Sequence, residues 1–209
     1  ETYWKGAPKL DSVTFRIVPS EASLLAGMNA GTIQFAILGN PTLAKQVGKN
    51  LKIYKTPSVN YIALQLNARV APLNNLNVRL AMQCAISRAE VVTTAAAGEG
   101  KVIGPITSPA YASDPNDRPC PTVDLVKAKK YLAEAGYPDG LTIKSMVAPI
   151  QGATLSGVAQ SLKAQLAKAG INLELEVIDS STFVSRWLAA DFVTAVASNG
   201  GKVDPDTMY

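Results

Sequence analysis

The residue types that usually perform chemistry are scarce in this chain of 209 residues. It has no histidine, which excludes Ser-His-Asp and Cys-His catalysis and imidazole-ligated zinc. Without histidine, its two cysteines, Cys84 and Cys120, are too few for a zinc or iron–sulfur site. They either form a disulfide that closes a loop of about 36 residues or remain unpaired thiols, and the sequence leaves both alternatives open.

Two further patterns resemble functional motifs but are better explained by local structure. Asp204 and Asp206 form a carboxylate pair with no third metal ligand nearby, and Asp-Pro-Asp is typical of a capped helix start. Gly98, Gly100 and Gly104 follow a predicted helix, whereas a phosphate-binding glycine loop leads from a strand into a helix. We therefore expect no catalytic residue, no metal site and no cofactor.

The candidate binding residues lie mainly in loops that follow predicted strands. Ligands of open α/β sheets bind at the carboxyl ends of strands. Residues 148–152 and 198–201 occupy such positions, although an ordinary strand-to-helix connection would have the same composition. The predicted ligand-binding residues are Asn60, Gln151, Gly152, Asn199, Gly200, Gly201 and Lys202.

Composition and charge indicate a folded globular chain and exclude two classes of partner. Hydrophobic residues make up 47% of the sequence and charged residues 17%, a balance typical of globular domains. The net charge is +4, but the basic residues are scattered, which argues against a nucleic-acid groove. No apolar run approaches the roughly 18 residues that a membrane-spanning helix needs.

The elements that would position these residues alternate between strand and helix patterns, which predicts the α/β class. β-branched and aromatic residues predict strands at 13–18, 35–38 and 51–54, and alternation of apolar and polar residues predicts a longer strand at 59–67. Helical spacing of apolar residues predicts helices over 20–31, 41–47, 77–97, 122–135, 154–169 and 179–188.

Residues 141–177 carry the clearest pattern. A strand at 141–147, a helix at 154–169 and a strand at 171–177 form a βαβ unit, which predicts parallel pairing with a right-handed crossover. A further strand is predicted at 192–198.

A change in charge suggests a boundary between two lobes. Residues 1–66 contain seven Lys and Arg residues against three acidic ones, whereas residues 67–209 contain thirteen of each sign. The change coincides with a loop at 68–76 that contains proline and two asparagines. We therefore predict the boundary near residue 67.

Several short sequences, in this order and spacing, resemble the family 5 extracellular solute-binding proteins, the dipeptide- and oligopeptide-binding components of ABC importers. They lie at residues 3–11, 15–19, 77–82, 85–88, 128–140 and 204–206. The resemblance implies periplasmic-binding-protein-like lobes of type II, with mixed, mostly parallel sheets flanked by helices. Residues 1–66 would be the C-terminal part of the first lobe plus the crossover strand, and residues 67–209 the second lobe, truncated at its C-terminal end.

The same resemblance implies capture without chemistry. A peptide-like or other small solute would be enclosed between the lobes and delivered to a membrane permease, with membrane contact only through that permease or a lipid anchor. The location would be periplasmic or extracellular, with a membrane anchor in a Gram-positive organism. Since family members are longer, we expect this chain to be a fragment whose uncovered sheet edge or apolar face promotes self-association.

Departures from the family pattern bear on the ligand. Members commonly place an acidic residue just before Asp-Pro-Asp, and some place an arginine after Pro-x-Gln. Here residues 199–203 contain no acid, and Gly152 stands where the arginine would be. We therefore expect a longer peptide or a neutral ligand such as an oligosaccharide rather than a free dipeptide, with Lys202 favouring an anionic group.

Two other functions fit the sequence less well. One is a lobe of an α/β hydrolase or transferase whose catalytic residues lie outside this chain. The other is a purely structural interaction domain.

Overall fold

The computed structural model describes residue 4 and residues 6–7, 9–56, 60–103, 118–148 and 153–200. Within them, two short helices precede an alternation of strands and helices. In chain order the elements are α1 (Glu21–Asn29), α2 (Pro41–Ala44), β1 (Tyr61–Leu66), α3 (Leu76–Ala85), α4 (Arg88–Ala95), α5 (Leu125–Glu134), β2 (Leu141–Val147), α6 (Ala153–Lys168), β3 (Ile171–Val177), α7 (Ser180–Leu188) and β4 (Thr194–Asn199).

The four strands form one mixed sheet in the order β1-β4-β2-β3. β2 pairs in parallel with β3 and with β4, while β1 runs antiparallel to β4. The βαβ unit spans β2, α6 and β3 with both strand ranges as predicted. The predicted α/β class with a mixed, mostly parallel sheet is therefore confirmed.

Helices cover both faces of this sheet. The larger core lies between one face and α3, α5 and α6, and it includes the fully buried Ile143, Leu166 and Leu173. The smaller core lies under α7 on the opposite face, where Phe183 packs with Met146 and alanines of β4. Because successive side chains of a strand point to opposite faces, both cores are served by the same strands.

Close backbone contact fixes the start of the βαβ unit. Gly140 and Gly170 immediately precede β2 and β3, and the N–H of Leu141 donates to the carbonyl of Gly170 at 3.1 Å. A Cβ on Gly140 would lie 2.2 Å from the carbonyl oxygen of Gly170, a distance that no side chain tolerates. Glycine is therefore required at residue 140 for these two strands to begin side by side.

The prediction of a single helix over 77–97 is wrong, because two helices, α3 and α4, are separated at Ile86 and Ser87. Ile86 is extended, and the Ser87 hydroxyl accepts the N–H of Glu90 at 3.2 Å as the cap of α4. The buried Gln165 of α6 stabilises the break, since its Oε1 accepts the Ser87 N–H at 2.6 Å and its Nε2 donates to the Ser87 carbonyl at 3.4 Å. The Ser-x-x-Glu spacing of a capping box was the signal for this break.

Of the two alternatives for the cysteines, a disulfide or two unpaired thiols, the structure shows the disulfide. Cys84 at the end of α3 is bonded to Cys120, with their Cα atoms 5.0 Å apart. Arg118 reinforces the same junction, donating to the carbonyls of Ile86, at 3.0 Å, and of Cys120. On a chain-entropy model, a crosslink of this span stabilises the fold by at most about 4 kcal/mol.

The strands predicted at 13–18, 35–38 and 51–54 are not formed. No strand in the described part of the chain pairs with these segments, and a strand exists only when another strand satisfies its backbone hydrogen bonds. Most of their apolar side chains are exposed, with Phe15 at 90% and Ile17 at 94%.

Some predicted element ends also shift by a few residues. α5 is capped by Asp124 rather than Thr122, because the Asp124 carboxylate accepts the N–H of Lys127 at 2.8 Å. α2 ends at Ala44 rather than at residue 47. β1 ends at Leu66, and the side-chain amide of the next residue, Asn67, donates to the carbonyls of Ala190 and Phe192.

Candidate functional site

The sheet brings one group of predicted binding residues to a single edge. β4 ends at Asn199, and because β1 is antiparallel, its first residue, Tyr61, lies opposite Asn199. Asn60 and Gly200 are therefore neighbours: a Cβ on Gly200 would lie 3.9 Å from Asn60 Oδ1. β2 ends at the same edge, with Val147 opposite Val196 of β4.

Three of the seven predicted binding residues, Asn60, Asn199 and Gly200, thus lie together at the carboxyl ends of β2 and β4. The edge is the one that the rule for open α/β sheets selects. The other four predicted residues, Gln151, Gly152, Gly201 and Lys202, lie outside the described residues, as does the Asp204–Asp206 pair. Since no ligand is present, the role of all seven stays a prediction.

Asn199 is held by side chains from two other elements. Its Oδ1 accepts a hydrogen bond from Nε2 of Gln65 in β1 at 2.9 Å. The Oε1 of Gln65 accepts the indole N–H of Trp187 in α7 at 2.5 Å. We call Trp187, Gln65 and Asn199 the amide relay. Gln65 and Trp187 were not among the predicted site residues.

Strand alternation explains why the relay lies on one face. Gln65 shares a face of β1 with Tyr61 and Ala63, the face that β4 continues with Ala197 and Asn199. The alternation over 59–67 already predicted a distinct face containing Gln65. Its partner Trp187 was recognisable only as part of the apolar stripe of α7.

α7 reaches this face because both of its ends are fixed. At the first turn, the hydroxyls of Ser181 and Thr182 and the N–H of Thr182 donate to the Asp179 carboxylate, at 2.5, 2.6 and 3.0 Å. These hydrogen bonds, the Ser181 one first, hold the pKa of Asp179 far below its usual range.

At the last turn, Arg186 forms ion pairs with Glu176 of β3 at 3.0 Å and with Asp191 at 3.2 Å. The hydrogen bond to Glu176 is the main cause of a raised Arg186 pKa. Phe183 lies between the two ends and is buried against the sheet. Trp187, one turn further along, is thereby placed over β1.

Among the residues that the structure describes, the chemistry of this edge is neutral hydrogen bonding. Asn60, Gln65, Trp187 and Asn199 carry amide or indole groups and no formal charge. In the part of the chain that the structure describes, no cluster of three metal-ligating side chains occurs. Such an edge can recognise polar groups of a ligand.

A concave region lies at the other end of the sheet. It has a volume of about 260 Å³ and lies beside Gly140 and Gly170, where β2 and β3 begin. It is lined by Lys129, Asp139 and Lys168 among others, and by none of the predicted binding residues. Its position at the amino ends of the strands separates it from the candidate site.

None of the helices in the described ranges is both long and apolar enough to cross a membrane.

Comparison with known proteins identifies the family. The whole chain, residues 1–209, matches the sequence model described as "Bacterial extracellular solute-binding proteins, family 5 Middle". The glutathione-binding protein GsiB of Escherichia coli K12 is 32% identical over 182 residues, a match that covers 85% of this chain and 35% of GsiB. The chain thus spans about a third of the length of the curated relatives it matches.

Solved structures of related proteins share the fold. The periplasmic binding protein DppA of Helicobacter pylori, in complex with the peptide STSA, is 25% identical with a TM-score of 0.78, covering 91% of this chain and 37% of DppA. The oligopeptide-binding protein AppA of Bacillus subtilis, in complex with a nonapeptide, is 26% identical with a TM-score of 0.75, covering 97% of this chain and 44% of AppA.

These relatives are named as binding proteins, and none of the three as an enzyme, so the hydrolase or transferase alternative gains no support. The resemblance predicted from short sequences is confirmed over the full length of the chain. The chain belongs to family 5 of the bacterial extracellular solute-binding proteins.

Proposed function

We propose that the protein containing this chain is the solute-binding component of an ABC importer and performs no chemistry on its ligand. The observation that carries this proposal is the match of all 209 residues to the family 5 model. The neutral edge formed by Asn60, Asn199 and Gly200 supports it, because reversible capture needs hydrogen-bonding groups rather than a nucleophile.

The ligand class that we propose is a peptide-like solute longer than a free dipeptide. Relatives are named for binding glutathione, or were solved with the peptide STSA or with a nonapeptide. Amide groups such as those of Asn60 and Asn199 suit the alternating donors and acceptors of a peptide backbone. The absence of an acid in residues 199–203 and of an arginine at residue 152 disfavours ionic capture of both termini of a dipeptide.

The mechanism that we propose is closure of two lobes around the solute, with residues 1–66 supplying the C-terminal part of the first lobe and the crossover strand, and residues 67–209 the second lobe. A ligand that contacts both lobes stabilises the closed state, because only that state makes all the contacts. The closed form would dock on a membrane permease, in the periplasm or outside the cell, held there by a lipid anchor in a Gram-positive organism.

A thermal-shift and calorimetry series on the full-length protein tests the proposal. We expect stabilisation by glutathione or by the tetrapeptide Ser-Thr-Ser-Ala and recovery of the ligand unchanged. The comparison ligands are Ala-Ala as a simple dipeptide and maltotriose as a neutral oligosaccharide. A large stabilisation by Ala-Ala would refute the length preference, and conversion of any ligand would refute the absence of chemistry.

Self-association of the 209-residue chain is a separate proposal. It is supported by the exposed apolar side chains of residues 10–54, among them Phe15, Ile17 and Phe35. We expect a sedimentation coefficient that rises with concentration. A clean monomer at high concentration would contradict this expectation.

A further inference from the structure

The amide of Asn199 has a defined orientation because its hydrogen bonds trace back to a group that can only donate. The indole N–H of Trp187 has no acceptor function. The oxygen of the Gln65 amide must therefore face Trp187, where the two atoms are 2.5 Å apart. The Gln65 nitrogen consequently faces Asn199, and its partner there, at 2.9 Å, must be the Asn199 oxygen.

This orientation decides which atom of the Asn199 amide is bonded to Gln65 and which atom keeps a hydrogen bond to give. The oxygen is directed to Gln65, so the nitrogen lies on the other side. That nitrogen contacts the carbonyl of Ala197 at 3.4 Å, a long hydrogen bond that uses one of its two N–H groups. Asn199 is half-buried and is followed directly by the exposed Gly200 at the edge that Asn60 shares.

We propose that Gln65 is a positioning residue that, held by Trp187, turns the amide N–H of Asn199 toward a carbonyl or carboxylate oxygen of the bound ligand. This inference rests on the proposed solute-binding function. Gln65 acts through Asn199 and has no need to touch the ligand. Without the relay, only the long hydrogen bond to the Ala197 carbonyl opposes a flip of the Asn199 amide, and the flipped amide presents its oxygen, which repels a ligand oxygen instead of binding it.

The three relay residues belong to α7, β1 and β4, so the relay also reports on how these elements sit together. Trp187 is placed by the buried Phe183 and by the ion pairs of Arg186. Gln65 is placed by the β1–β4 register, in which it lies opposite Ala195. The orientation of one binding amide is thus set by a helix and by two strands.

A double-substitution cycle in the full-length protein tests the proposal with Ser-Thr-Ser-Ala and glutathione as probes. Gln65→Met keeps the side-chain length but removes both hydrogen bonds, and we expect it to weaken binding about threefold to tenfold. In an Asn199→Ala background the same substitution should change affinity by less than about twofold, since its target is gone. Gln160→Met, at an exposed position of α6, is the matched control and should leave affinity unchanged.

An equal loss in both backgrounds would overturn the proposal, because a merely structural role of Gln65 persists without Asn199. A second peptide, Ser-Thr-Ser-Ala with an amidated C-terminus, tells whether Asn199 donates to a backbone carbonyl or to the C-terminal carboxylate of the ligand. If the amidated peptide binds as tightly as the free peptide and Gln65→Met still weakens its binding, the contact is to a backbone carbonyl. If the amidated peptide binds more weakly and Gln65→Met no longer matters, the contact is to the carboxylate.

A measurement without ligand separates failure of this inference from failure of the proposed function. Trp187→Phe identifies the indole proton resonance of Trp187 by its disappearance. Gln65→Met should move that resonance upfield in the free protein, and an unchanged resonance would overturn the relay. If the unsubstituted protein binds neither probe, the proposed ligand class is refuted, and the indole resonance still decides whether the relay exists.

Discussion

Residues 9–56 and residues 60–200 have similar apolar patterns, but they bury them to very different extents. In the first region Leu25 is the one hydrophobic side chain that is buried among the described residues. In the second, strands and helices enclose two cores, and many side chains have no exposed surface. The difference shows that an apolar pattern predicts a strand only where a partner strand and a covering helix are available.

The contacts within the first region are mostly local and polar. The carboxylate of Glu21 accepts the N–H groups of Gly39 and Asn40 at 2.9 and 3.0 Å, and Asn29 accepts the N–H of Gly48 at 2.9 Å. Such bonds order a loop around two short helices. They bury little apolar area, which is the dominant source of stability in folding.

The described contacts between the two regions are also polar and exposed. Lys45 donates to the carbonyl of Ala97 at 3.1 Å, and Lys55 pairs with Glu99 at 2.6 Å. An exposed ion pair adds little to stability, because solvent screens it and two flexible side chains must be ordered. We therefore expect the second region to determine the unfolding transition of the 209-residue chain.

Truncation of one leucine in each region tests this comparison with the largest expected effect. Leu166→Ala in α6 should lower the free energy of unfolding by about 2–5 kcal/mol, because it leaves a cavity in a closed core. Leu10→Ala, at a side chain 69% exposed, should change it by less than about 0.5 kcal/mol. Chemical denaturation of the 209-residue chain measures both.

Similar losses for the two leucine variants would contradict the comparison. The same two substitutions, made in the full-length protein, sharpen the comparison of the two regions. A larger cost for Leu10→Ala there would show that other parts of that protein cover the apolar side chains of the first region.

A substitution at the break between α3 and α4 should have a smaller effect on the free energy of unfolding. Gln165→Leu leaves the N–H and carbonyl of Ser87 without their buried partner, and we expect a loss of about 1–3 kcal/mol. Gln160→Leu makes the same change at an exposed position of the same helix and should be nearly neutral. Equal effects of the two in denaturation experiments would show that the contact to Ser87 contributes nothing.

The smallest expected effect is a dependence on pH at the start of α7. The Asp179 pKa is lower in the folded chain than in the unfolded chain, so its stabilising contribution is present above about pH 4 and is lost as the pH falls through the folded pKa. Denaturation between about pH 5 and pH 2.5 should show a steeper loss for the unsubstituted chain than for Asp179→Ala. Asp139→Ala, in a turn before β2, is the control and should keep the steeper slope.

Local patterns predicted the second region well. The ranges of β2 and β3 match their alternation, and the helix between them matches its apolar spacing, because these elements pack against one another within the βαβ unit. The break at Ser87 was also encoded locally, by a capping box within a continuous apolar stripe. The stripe dominated the prediction because it runs through both helices.

The candidate site was predicted in part. Asn60, Asn199 and Gly200 could be selected because they flank strand ends, and the sheet brings them to one edge. Gln65 and Trp187 could not be, since an amide in a strand and a tryptophan in a helix carry no sign of their partner. They are 122 residues apart in the sequence, and only the packing of α7 on the sheet brings them together.

The sequence by itself determined the class of fold, the family and the absence of histidine chemistry, because these depend on composition, periodicity and the order of short motifs. Tertiary structure alone decided that Cys84 bonds to Cys120, that three apolar segments of the first region do not form strands, and that the Asn199 amide oxygen accepts a hydrogen bond from Gln65. Each of these depends on a partner far away in the sequence, and the pattern around one residue carries no information about a distant one.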